Sequence, residues 1–377
     1  MSKLFFISAG EESGDQHASH LMAGLKDLCP DASFIGLGRE RMAAQGLESV
    51  RDMRHGSVMW AQAAGKVPEM LGLIRQCGDV FRARRPDAVI VVDYVGLNMA
   101  LARKSHALGI PTVYFVSPQV WAHSSFRVRK IRKWLDRMLV IYPFEEEFYK
   151  ARGVDARFVG NPLFDEFKTH PVDQTAVMRI RERFGEPLVA IAPGSRRQEI
   201  SVNLRIALAA AEKIRRSIPD VKFAIACGND AMEAHVREAL NGAKTGIGIC
   251  RGRLVDTASA SRLLLTKSGT GSMEIAAAGT PMVVFYRIPR WGYFVTRPLM
   301  NVSCFTMINV LAGREIVPEN LMRSDDSDWL ADRAIEMLRD EGLRNRAVAA
   351  MKDALAGLMK PGAGLRAAQE VMDLISG

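Results

Sequence analysis

Residues 191–200 read IAPGSRRQEI. An apolar run that begins at Leu188 leads into this stretch and predicts a buried strand, and the residues after Ser195 predict a helix. A strand that ends in Pro-Gly-Ser-Arg brings backbone N–H groups, a hydroxyl and the guanidinium of Arg196 to a helix N-terminus, where an anion is favoured. A planar guanidinium suits a diphosphate better than an ammonium does. Taken alone, the stretch is equally consistent with an ordinary strand–turn–helix junction that carries a surface arginine.

A second junction of the same kind lies at residues 263–274, which read LLLTKSGTGSME. Its two glycines allow the backbone to approach a ligand, and Thr270 and Ser272 add hydroxyl groups. Glu274 lies one turn into the predicted helix, where its carboxylate could accept hydrogen bonds from a ribose diol; a first-turn acid favoured by the helix dipole is the alternative. Because each junction follows the carboxyl end of a strand, together they favour a nucleotide-diphosphate site in an open α/β sheet.

Length and composition indicate a globular protein of more than one domain. A chain of 377 residues exceeds the size at which a single core stops growing, and 48% apolar with 25% charged residues is an ordinary soluble composition. The five cysteines are scattered without metal-ligand spacing, which indicates reduced thiols. The sequence contains neither a signal-peptide pattern nor an apolar run of the ~20 residues that span a bilayer, so we expect a cytoplasmic protein.

The net charge of +9 is consistent with an anionic partner. Residues 127–133 read RVRKIRK, and Val128, Ile131 and Leu135 recur at helical spacing, so the basic side chains are expected on the opposite, solvated face. A solvated face alone explains the charge, and so does an anionic membrane surface or a phosphorylated substrate. No nucleic-acid-binding module accompanies the charge, so nucleic acid is not expected as a partner.

Residues 58–74 form an amphipathic segment with apolar side chains such as Trp60 and Met70, and arginines follow at residues 82–85. Such a segment is able to dock on anionic lipid and to admit acyl chains, as a membrane-facing lid. A helix whose apolar stripe packs on its own domain explains the pattern equally well.

Strands and helices alternate along the chain, which predicts parallel sheets with helices on both sides. In the first half, strands are predicted at 3–8, 33–37, 88–93, 112–116 and 138–141, with a first helix from Asp15 to Leu28. A polar, Pro-punctuated link at 162–187 contains one predicted helix, 173–184. In the second half, strands are predicted at 188–192, 222–226, 247–250, 263–266 and 281–285. We therefore expect an N-terminal domain over 1–170, a C-terminal domain over 171–350, and a C-terminal helix within 351–377 that packs back across the domain interface.

The first predicted strand is followed by its own glycine turn, SAGEESGD at residues 8–15. The turn is not G-x-G-x-x-G, and no acid ends the second predicted strand, so nicotinamide dinucleotides are disfavoured. Glu11, Ser13 and Asp15 instead place acceptors and a hydroxyl where a sugar could be held. The alternative is that Ser13 or Asp15 caps the first helix.

Asp93 is the best candidate for acid–base chemistry. It ends the apolar strand 88–92, so the strand delivers its carboxylate to the edge of the sheet where ligands of α/β proteins bind. A partly desolvated carboxylate is able to take a proton from an acceptor hydroxyl. An N-cap for the following helix is the structural alternative. Asn98 follows near the same edge, and Gln119 lies at the end of the next predicted strand.

Several motifs run collinearly along most of the chain. They are GEESGD (10–15), DY (93–94), SPQVWA (117–122), PFE (143–145), FVGNPL (158–163), PGSR (193–196), SGT (268–270), PMVV (281–284) and NVLAG (309–313). On these motifs the chain resembles the lipid-A-disaccharide synthases, glycosyltransferases of the GT-B type. The resemblance implies two Rossmann-like parallel-sheet domains that face each other across a cleft. It also implies inverting transfer of 2,3-diacylglucosamine from UDP to 2,3-diacylglucosamine 1-phosphate, which yields a β-1′,6-linked disaccharide and UDP.

Residue roles follow from the same resemblance. Asp93 matches the family's proposed general base, and Arg196 matches its donor-site arginine. The other positions implied on the donor side are Gly194, Ser195, Ser268, Gly269, Thr270, Ser272, Glu274 and Asn309. The positions expected on the acceptor side are Glu11, Ser13, Gly14, Asp15, Asn98 and Gln119.

The resemblance also implies partners and location. The substrates are lipids, so the protein is expected as a peripheral protein at the inner face of the inner membrane. A homodimer is a possible assembly. No metal or other cofactor is implied. Asp326-Ser327-Asp328 has a metal-binding pattern but is better explained as the cap of a helix that begins near Trp329.

Three alternative functions stay open. Motif positions near Trp60, Gly96, His123 and Asn161 differ from the family's usual residues, and most lie in the acceptor half, so a relative with an altered lipid acceptor is one alternative. A UDP-GlcNAc 2-epimerase-like isomerase on the same fold is another, and it would need no lipid acceptor. A non-catalytic lipid or nucleotide binder belongs to a different class, and loss of Asp93 would not affect it.

Overall fold

The computed structural model of the chain describes residues 2–51, 67–122, 125–240, 245–288 and 304–376. The chain divides into two compact units. The first unit comprises Met1–Thr169 together with Leu358–Gly377, and the second comprises His170–Gly357. Each unit contains one parallel β-sheet with helices between successive strands.

The sheet of the first unit has seven strands in the order β3-β2-β1-β4-β5-β6-β7. Their bounds are β1 (Leu4–Ala9), β2 (Ser33–Leu37), β3 (Leu47–Ser49), β4 (Ala88–Val92), β5 (Thr112–Phe115), β6 (Arg137–Val140) and β7 (Ala156–Phe158). The helices are α1 (Glu12–Leu28), α2 (Glu40–Ala44), α3 (Val67–Arg84), α4 (Val95–Ala107), α5 (Val128–Trp134), α6 (Pro143–Lys150) and α7 (Leu163–Thr169), with a short 3₁₀ turn at Ser125–Arg127 before α5. All five residues of β4 are buried, as expected for a parallel strand that is covered on both faces.

The sheet of the second unit has six strands in the order β10-β9-β8-β11-β12-β13. Their bounds are β8 (Leu188–Ala192), β9 (Lys222–Cys227), β10 (Gly248–Arg251), β11 (Leu263–Lys267), β12 (Met282–Arg287) and β13 (Glu319–Met322). The helices are α8 (Gln174–Phe184), α9 (Arg197–Ser217), α10 (Asp230–Leu240), α11 (Leu254–Ala260), α12 (Thr270–Ala277), α13 (Met307–Ala312), α14 (Ser327–Arg339) and α15 (Glu341–Leu355). The core of this unit is formed by β8, β9, β11 and β12 with the apolar faces of α9 and α14.

The predicted strands are present with ends that differ by at most a few residues, but three strands were missed. These are β3, β7 and β13, which are short and partly exposed, so none has the continuous apolar run that signals a buried strand. The first helix begins at Glu12 rather than at Asp15. The link at 162–187 contains two helices, α7 and α8, rather than one.

A final helix, α16 (Ala363–Ser376), returns to the first unit and lies against α1. The two helices approach at a glycine pair. A Cβ on Gly24 would lie 2.9 Å from the carbonyl oxygen of Gly364, and a Cβ on Gly364 would lie 2.7 Å from the carbonyl oxygen of His20. Both contacts are with backbone atoms, which do not move aside easily, so the crossing requires glycine on both helices.

The buried carboxylate of Asp165, at α7, fastens the start of α16. Its Oδ1 accepts hydrogen bonds from the backbone N–H groups of Gly362 and Ala363, the latter at 3.2 Å, and its Oδ2 accepts from Gly364 at 2.9 Å. The first N–H groups of a helix have no partner within the helix. Asp165 therefore acts as a capping residue contributed by a distant part of the chain.

Replacing Asp165 with Ala should free the C-terminal helix. Loss of a capping side chain costs about 0.5–2 kcal/mol, and here the N–H groups left without a partner are largely buried. We expect a lower melting temperature and faster proteolytic removal of residues 358–377. Asp173→Ala is the matched control, because Asp173 caps α8 through Thr175 and Ala176 in the other unit. Equal protease resistance of the C-terminal segment in both variants would contradict the role given to Asp165.

Candidate active site

In both units the strand order reverses beside the first strand of the sheet. The reversal lies between β1 and β4 in the first unit and between β8 and β11 in the second. Open α/β sheets bind ligands outside the carboxyl ends of the strands at such a point, because the connecting helices on either side leave a crevice there. The loops at these ends carry the GEESGD turn and Asp93 in the first unit, and PGSR and SGT in the second. The motifs singled out from the sequence are thus paired by the topology of each sheet.

In the second unit, two helix N-termini lie side by side. Strands β8 and β11 pair in register up to Ala192 and Thr266, and α9 and α12 follow them after short loops. Gly194 has φ +125° and Gly269 has φ +153°, conformations that residues with a side chain rarely adopt. Ser195, Arg196 and Thr270 are exposed at these junctions, so a hydroxyl pair and a guanidinium are available to a ligand there.

A carboxylate that the sequence reasoning missed lies between the two junctions. Glu199, in the first turn of α9, is within 3.5 Å of the Arg196 guanidinium and accepts a hydrogen bond from Lys267 Nζ at 3.2 Å. Its side chain is 13% exposed. Arg196 directly precedes α9 and lies three residues before Glu199, a spacing that was a signal for this contact, whereas the contact with Lys267 depends on the pairing of β8 with β11.

Two of the expected donor-side residues are fully buried and bonded to backbone. Ser272 Oγ donates to the Gly269 carbonyl at 2.7 Å. Asn309 Oδ1 accepts from the N–H groups of Ile316 and Val317, and its Nδ2 donates to the Val317 carbonyl at 2.9 Å. These side chains therefore hold the SGT turn and the loop after α13, and their place on the donor side stays a prediction. Ser268 Oγ donates to the Phe305 carbonyl at 3.4 Å, and Glu274 is partly exposed on α12.

In the first unit, Asp93 sits in an unusual backbone conformation directly after β4. Asp93 has φ +53° and Tyr94 has φ +35°, values that are uncommon for residues other than glycine and that cluster at functional sites. The Asp93 N–H donates to the Phe115 carbonyl at 3.0 Å, and the Asp93 carbonyl accepts from the Tyr114 hydroxyl. Burial raises the pKa of Tyr114 well above its usual value, so this hydroxyl keeps its proton. The backbone is fixed by these bonds while the Asp93 side chain stays partly exposed.

Asn98 bonds the backbone at the end of β4. It is fully buried, its Nδ2 donates to the Val92 and Asp93 carbonyls at 2.9 Å each, and its Oδ1 accepts from Ser8 Oγ at 2.8 Å. These bonds use both N–H groups and the carbonyl of the amide. Asn98 therefore ties β1 to the turn at Asp93, and its place on the acceptor side stays a prediction.

The GEESGD turn lies against the turn at Asp93. A Cβ on Gly10 would lie 2.9 Å from the Tyr94 ring, and one on Gly14 would lie 3.9 Å from Asp93 Cβ. Asp15 is buried, and it accepts hydrogen bonds from the N–H groups of Arg39 and Arg41 at 2.6 and 3.0 Å. Asp15 thus caps α2 and lies within α1, so the alternative that it caps the first helix was wrong, while its acceptor-side assignment stays a prediction.

Glu11 and Ser13 are partly exposed at the start of α1, and their place on the acceptor side stays a prediction. Gln119, in the loop after β5, is exposed. The neighbouring residues of that loop are held by a buried carboxylate, Glu145, which sequence reasoning did not select. Glu145 accepts from Ser117 Oγ at 2.8 Å, from Trp121 Nε1 at 3.0 Å and from the Tyr142 N–H at 3.3 Å. The loop after β5 is thereby fixed to the N-terminus of α6.

Within the parts of the chain that the structure describes, no group of three or more His, Cys, Asp and Glu side chains could hold a metal ion. The prediction for residues 326–328 is confirmed as a cap. Asp326 precedes α14 and accepts a hydrogen bond from the Trp329 N–H, and Asp328 is paired with Lys213.

The chain matches a known protein family over nearly its whole length. The family model described as lipid-A-disaccharide synthetase matches residues 5–367. A lipid-A-disaccharide synthase of Anaeromyxobacter sp. (strain K) is 36% identical over 375 residues, which cover 98% of this chain and 97% of that protein. The lipid-A-disaccharide synthase of Myxococcus xanthus (strain DK1622) is 34% identical over 374 residues, again with 98% and 97% coverage.

Solved structures share the fold at low sequence identity. The complex of S. aureus MnaA with UDP has a TM-score of 0.67 at 13% identity, over 100% of this chain and 96% of that chain. The UDP-GlcNAc 2-epimerase of Neisseria meningitidis bound to UDP-GlcNAc has a TM-score of 0.64 at 11% identity. A ugt transferase of Siraitia grosvenorii in complex with UDP has a TM-score of 0.62 at 10% identity, and both comparisons cover 100% of both chains. At these identities the likeness shows the fold alone, and it confirms the predicted class of two parallel-sheet α/β units.

The ionisation of Glu145 should be visible in the stability of the protein. Burial raises the pKa of its carboxyl from 4.5 to about 7, although hydrogen bonds from Ser117 and Trp121 lower it. Since the pKa is higher in the folded state, the stabilisation from Glu145 is complete below pH 4.5 and is lost as the pH rises through 7. Relative to Glu145→Gln, which cannot ionise, the wild type should therefore lose unfolding free energy between pH 4.5 and about 7.5, by at most ~1.4 kcal/mol per pH unit.

Denaturant unfolding at a series of pH values measures this difference. In Glu145→Gln the amide N–H groups face the Tyr142 N–H, and this conflict lowers the unfolding free energy of the variant by an amount that does not depend on pH. Only the slope of unfolding free energy against pH is therefore informative. Glu147→Gln, an exposed position on the same helix, is the matched control and should run parallel to the wild type. Parallel curves for Glu145→Gln as well would show that Glu145 does not titrate in this range.

Proposed function

Because the chain belongs to the lipid-A-disaccharide synthase family, we propose that it transfers 2,3-diacylglucosamine from UDP to 2,3-diacylglucosamine 1-phosphate. The products are a β-1′,6-linked disaccharide and UDP. The observation that carries the proposal is the family match over residues 5–367, which includes the motifs at both strand-order reversals. The likeness to UDP-GlcNAc 2-epimerases is one of fold, whereas the relatives at 36% and 34% identity are synthases.

The second unit is proposed to bind the UDP part of the donor. The N-termini of α9 and α12 present backbone N–H groups that have no partner within their helices, and a diphosphate is the kind of anion that such positions favour. The exposed Arg196 adds a guanidinium able to bond two oxygens at once. As UDP leaves, negative charge grows on the diphosphate, and fixed donors of this kind stabilise it without rearranging.

Asp93 is proposed as the general base. Its carboxylate takes the proton of the acceptor 6-hydroxyl while that oxygen forms a bond to the anomeric carbon of the donor sugar. The bond from the anomeric carbon to the diphosphate oxygen breaks on the opposite face, so the configuration inverts and its electron pair leaves with UDP. The bonds from Asn98 and Tyr114 to the Asp93 backbone support the role, because a base must be held in place to act.

We further propose that the first unit docks on an anionic membrane surface through α5. Arg129, Lys130, Arg132 and Lys133 are exposed on this helix, while Val128 and Ile131 are buried, as the sequence predicted. Phe126, just before α5, is 69% exposed beside these charges. Exposed basic residues with an adjacent aromatic ring are typical of surfaces that bind anionic lipid. No helix in the described residues is long and apolar enough to cross a membrane.

The other expected membrane segment is only partly described. Residues 58–66, with Trp60, lie outside the described residues. On α3, Leu71 is 55% exposed, Met70 is partly buried and Ile74 packs in the core of the first unit. The described part of this segment is therefore divided between the core and the surface.

The transferase is tested by UDP release from UDP-2,3-diacylglucosamine with and without 2,3-diacylglucosamine 1-phosphate. We expect release and a disaccharide product only when the acceptor is present. Asp93→Asn should lower this rate by about 10²- to 10⁴-fold, the usual contribution of a general base, and should leave UDP binding unchanged. Asp87→Asn is the matched control, because it removes a carboxylate at the opposite end of β4.

Other outcomes would point to other functions. Conversion of the UDP-sugar without any acceptor would favour an isomerase. If the protein binds UDP without turnover, and Asp93→Asn does not change that binding, the protein is a non-catalytic binder. Turnover with a different lipid acceptor would support the transferase activity and contradict the proposed acceptor.

The membrane surface is tested by co-sedimentation with vesicles that contain an anionic phospholipid. Each basic residue near such a surface contributes about 1 kcal/mol, so Arg129→Gln/Lys130→Gln should weaken binding by roughly 30-fold. Arg205→Gln/Arg216→Gln removes the same charge from exposed positions on α9 and should change binding far less. An equal loss in the two double variants would assign the binding to net charge rather than to α5.

A further inference from the structure

Three charged side chains converge at the strand-order reversal of the second unit. Arg196 and Lys267 both face Glu199, whose Oε1 lies 3.5 Å from the Arg196 guanidinium and 3.2 Å from Lys267 Nζ. The three residues come from the two junctions that flank β8 and β11. Two cations share one anion, so the cluster carries a net positive charge at the place where ligands of α/β sheets bind.

The carboxylate of Glu199 is largely buried and has little contact with solvent. Its Oε2 is buried and has no hydrogen-bond partner among the described residues. A Cβ on Gly194 would lie 2.7 Å from this oxygen, so the PGSR loop passes directly over it. A largely buried carboxylate that uses half of its acceptor capacity depends on nearby cations for its stability. Glu199 therefore keeps Arg196 and Lys267 in place beside the loop.

Lys267 is held close to the second junction. It is the last residue of β11 and directly precedes Ser268 and Gly269. Its side chain is 21% exposed, and its Nζ lies 6.0 Å from the centre of the Tyr286 ring on β12, within the range of a cation–π contact. A Cβ on Gly269 would lie 3.1 Å from Nζ, so the ammonium already touches the turn that opens α12.

We propose that Lys267 is a second cation for the diphosphate of the donor, and that Glu199 is its positioning residue and counter-ion before the donor binds. This inference rests on the proposed function of the same site. A diphosphate carries more negative charge than one carboxylate, so on binding it replaces Glu199 as the main partner of the ammonium. The ammonium does not have to move far, because it lies at the N-terminus of α12, where phosphate oxygens are favoured.

A purely structural ion pair between β11 and α9 is the competing explanation. It predicts that loss of Lys267 weakens the fold and reduces the binding of every ligand of this unit. A diphosphate cation predicts a loss that depends on the phosphates of the ligand. UDP and uridine separate the two explanations, since they share the nucleoside and differ in the diphosphate.

The experiment compares Lys267→Met with the wild type for both ligands, with calorimetry for UDP and ligand-observed NMR for uridine. A hydrogen bond to a charged group contributes about 1.5–3 kcal/mol, so we expect UDP affinity to fall by roughly 10- to 100-fold. Uridine affinity should be unchanged, and Lys267→Arg should restore most of the UDP affinity. Lys222→Met, at the opposite edge of the same sheet where β9 begins, is the matched control and should bind both ligands as the wild type does.

Lys267→Met leaves Glu199 without one of its cations, so the same comparison is repeated in a Glu199→Gln background. Addition of Lys267→Met to Glu199→Gln should again weaken UDP binding and spare uridine. Unchanged UDP affinity in both backgrounds, or an equal loss for UDP and uridine, would overturn the role of Lys267 and leave the proposed function standing. A wild-type protein that does not bind UDP would overturn both.

Discussion

The molecule depends on one constraint of parallel sheets: all strands of a sheet end at the same edge. When the strand order reverses beside the first strand, the connecting helices diverge to opposite faces and the loops at that point are left uncovered. Both units have this arrangement, at β1/β4 and at β8/β11. Strands β4 and β8 are fully buried and apolar, so their function is to fix where the loops begin. What the loops carry is then free to differ: the proposed base in the first unit, and the groups proposed to bind the diphosphate in the second.

Buried polar side chains give these loops their shape. Asn98 and Asn309 each use their amide to bond backbone groups that no strand or helix satisfies, and Glu145 does the same with a carboxylate. A buried polar group without a partner costs about 1–3 kcal/mol, so each of these side chains strongly favours one loop conformation over others. The left-handed conformation at Asp93 is one that such bonds maintain, since Asn98 and Tyr114 both bond its carbonyl. The residues that shape the site therefore lie beneath it rather than on its surface.

The excess positive charge of the chain has two separate uses in this interpretation. At the strand ends of the second unit, the partly buried Lys267 and the exposed Arg196 share Glu199, and electrostatic interactions at a partly buried site are stronger than in bulk water. On α5 the basic residues are fully in solvent, where each contact is weak and only their number gives binding. In the proposed function, the donor diphosphate is bound by a few partly buried charges, and the lipid surface is bound by many exposed ones.

The sequence by itself determined the long buried strands, their alternation with helices and the two glycine-containing junctions, because each depends on neighbours a few residues apart. It also predicted Asp93 and Arg196 as candidate site residues, since the end of an apolar strand and the start of a helix are local features. It missed the short strands at the sheet edges, where pairing rather than apolar character defines the strand. The roles of Asn98, Asp15, Asn309 and Glu145 were decided only by the tertiary structure, because their hydrogen-bond partners lie on other elements or in loops without regular pairing. The same holds for Lys267, which meets Glu199 only because β11 pairs with β8: a polar residue in a sequence shows what it is able to bond, and only the fold decides which partners come within reach.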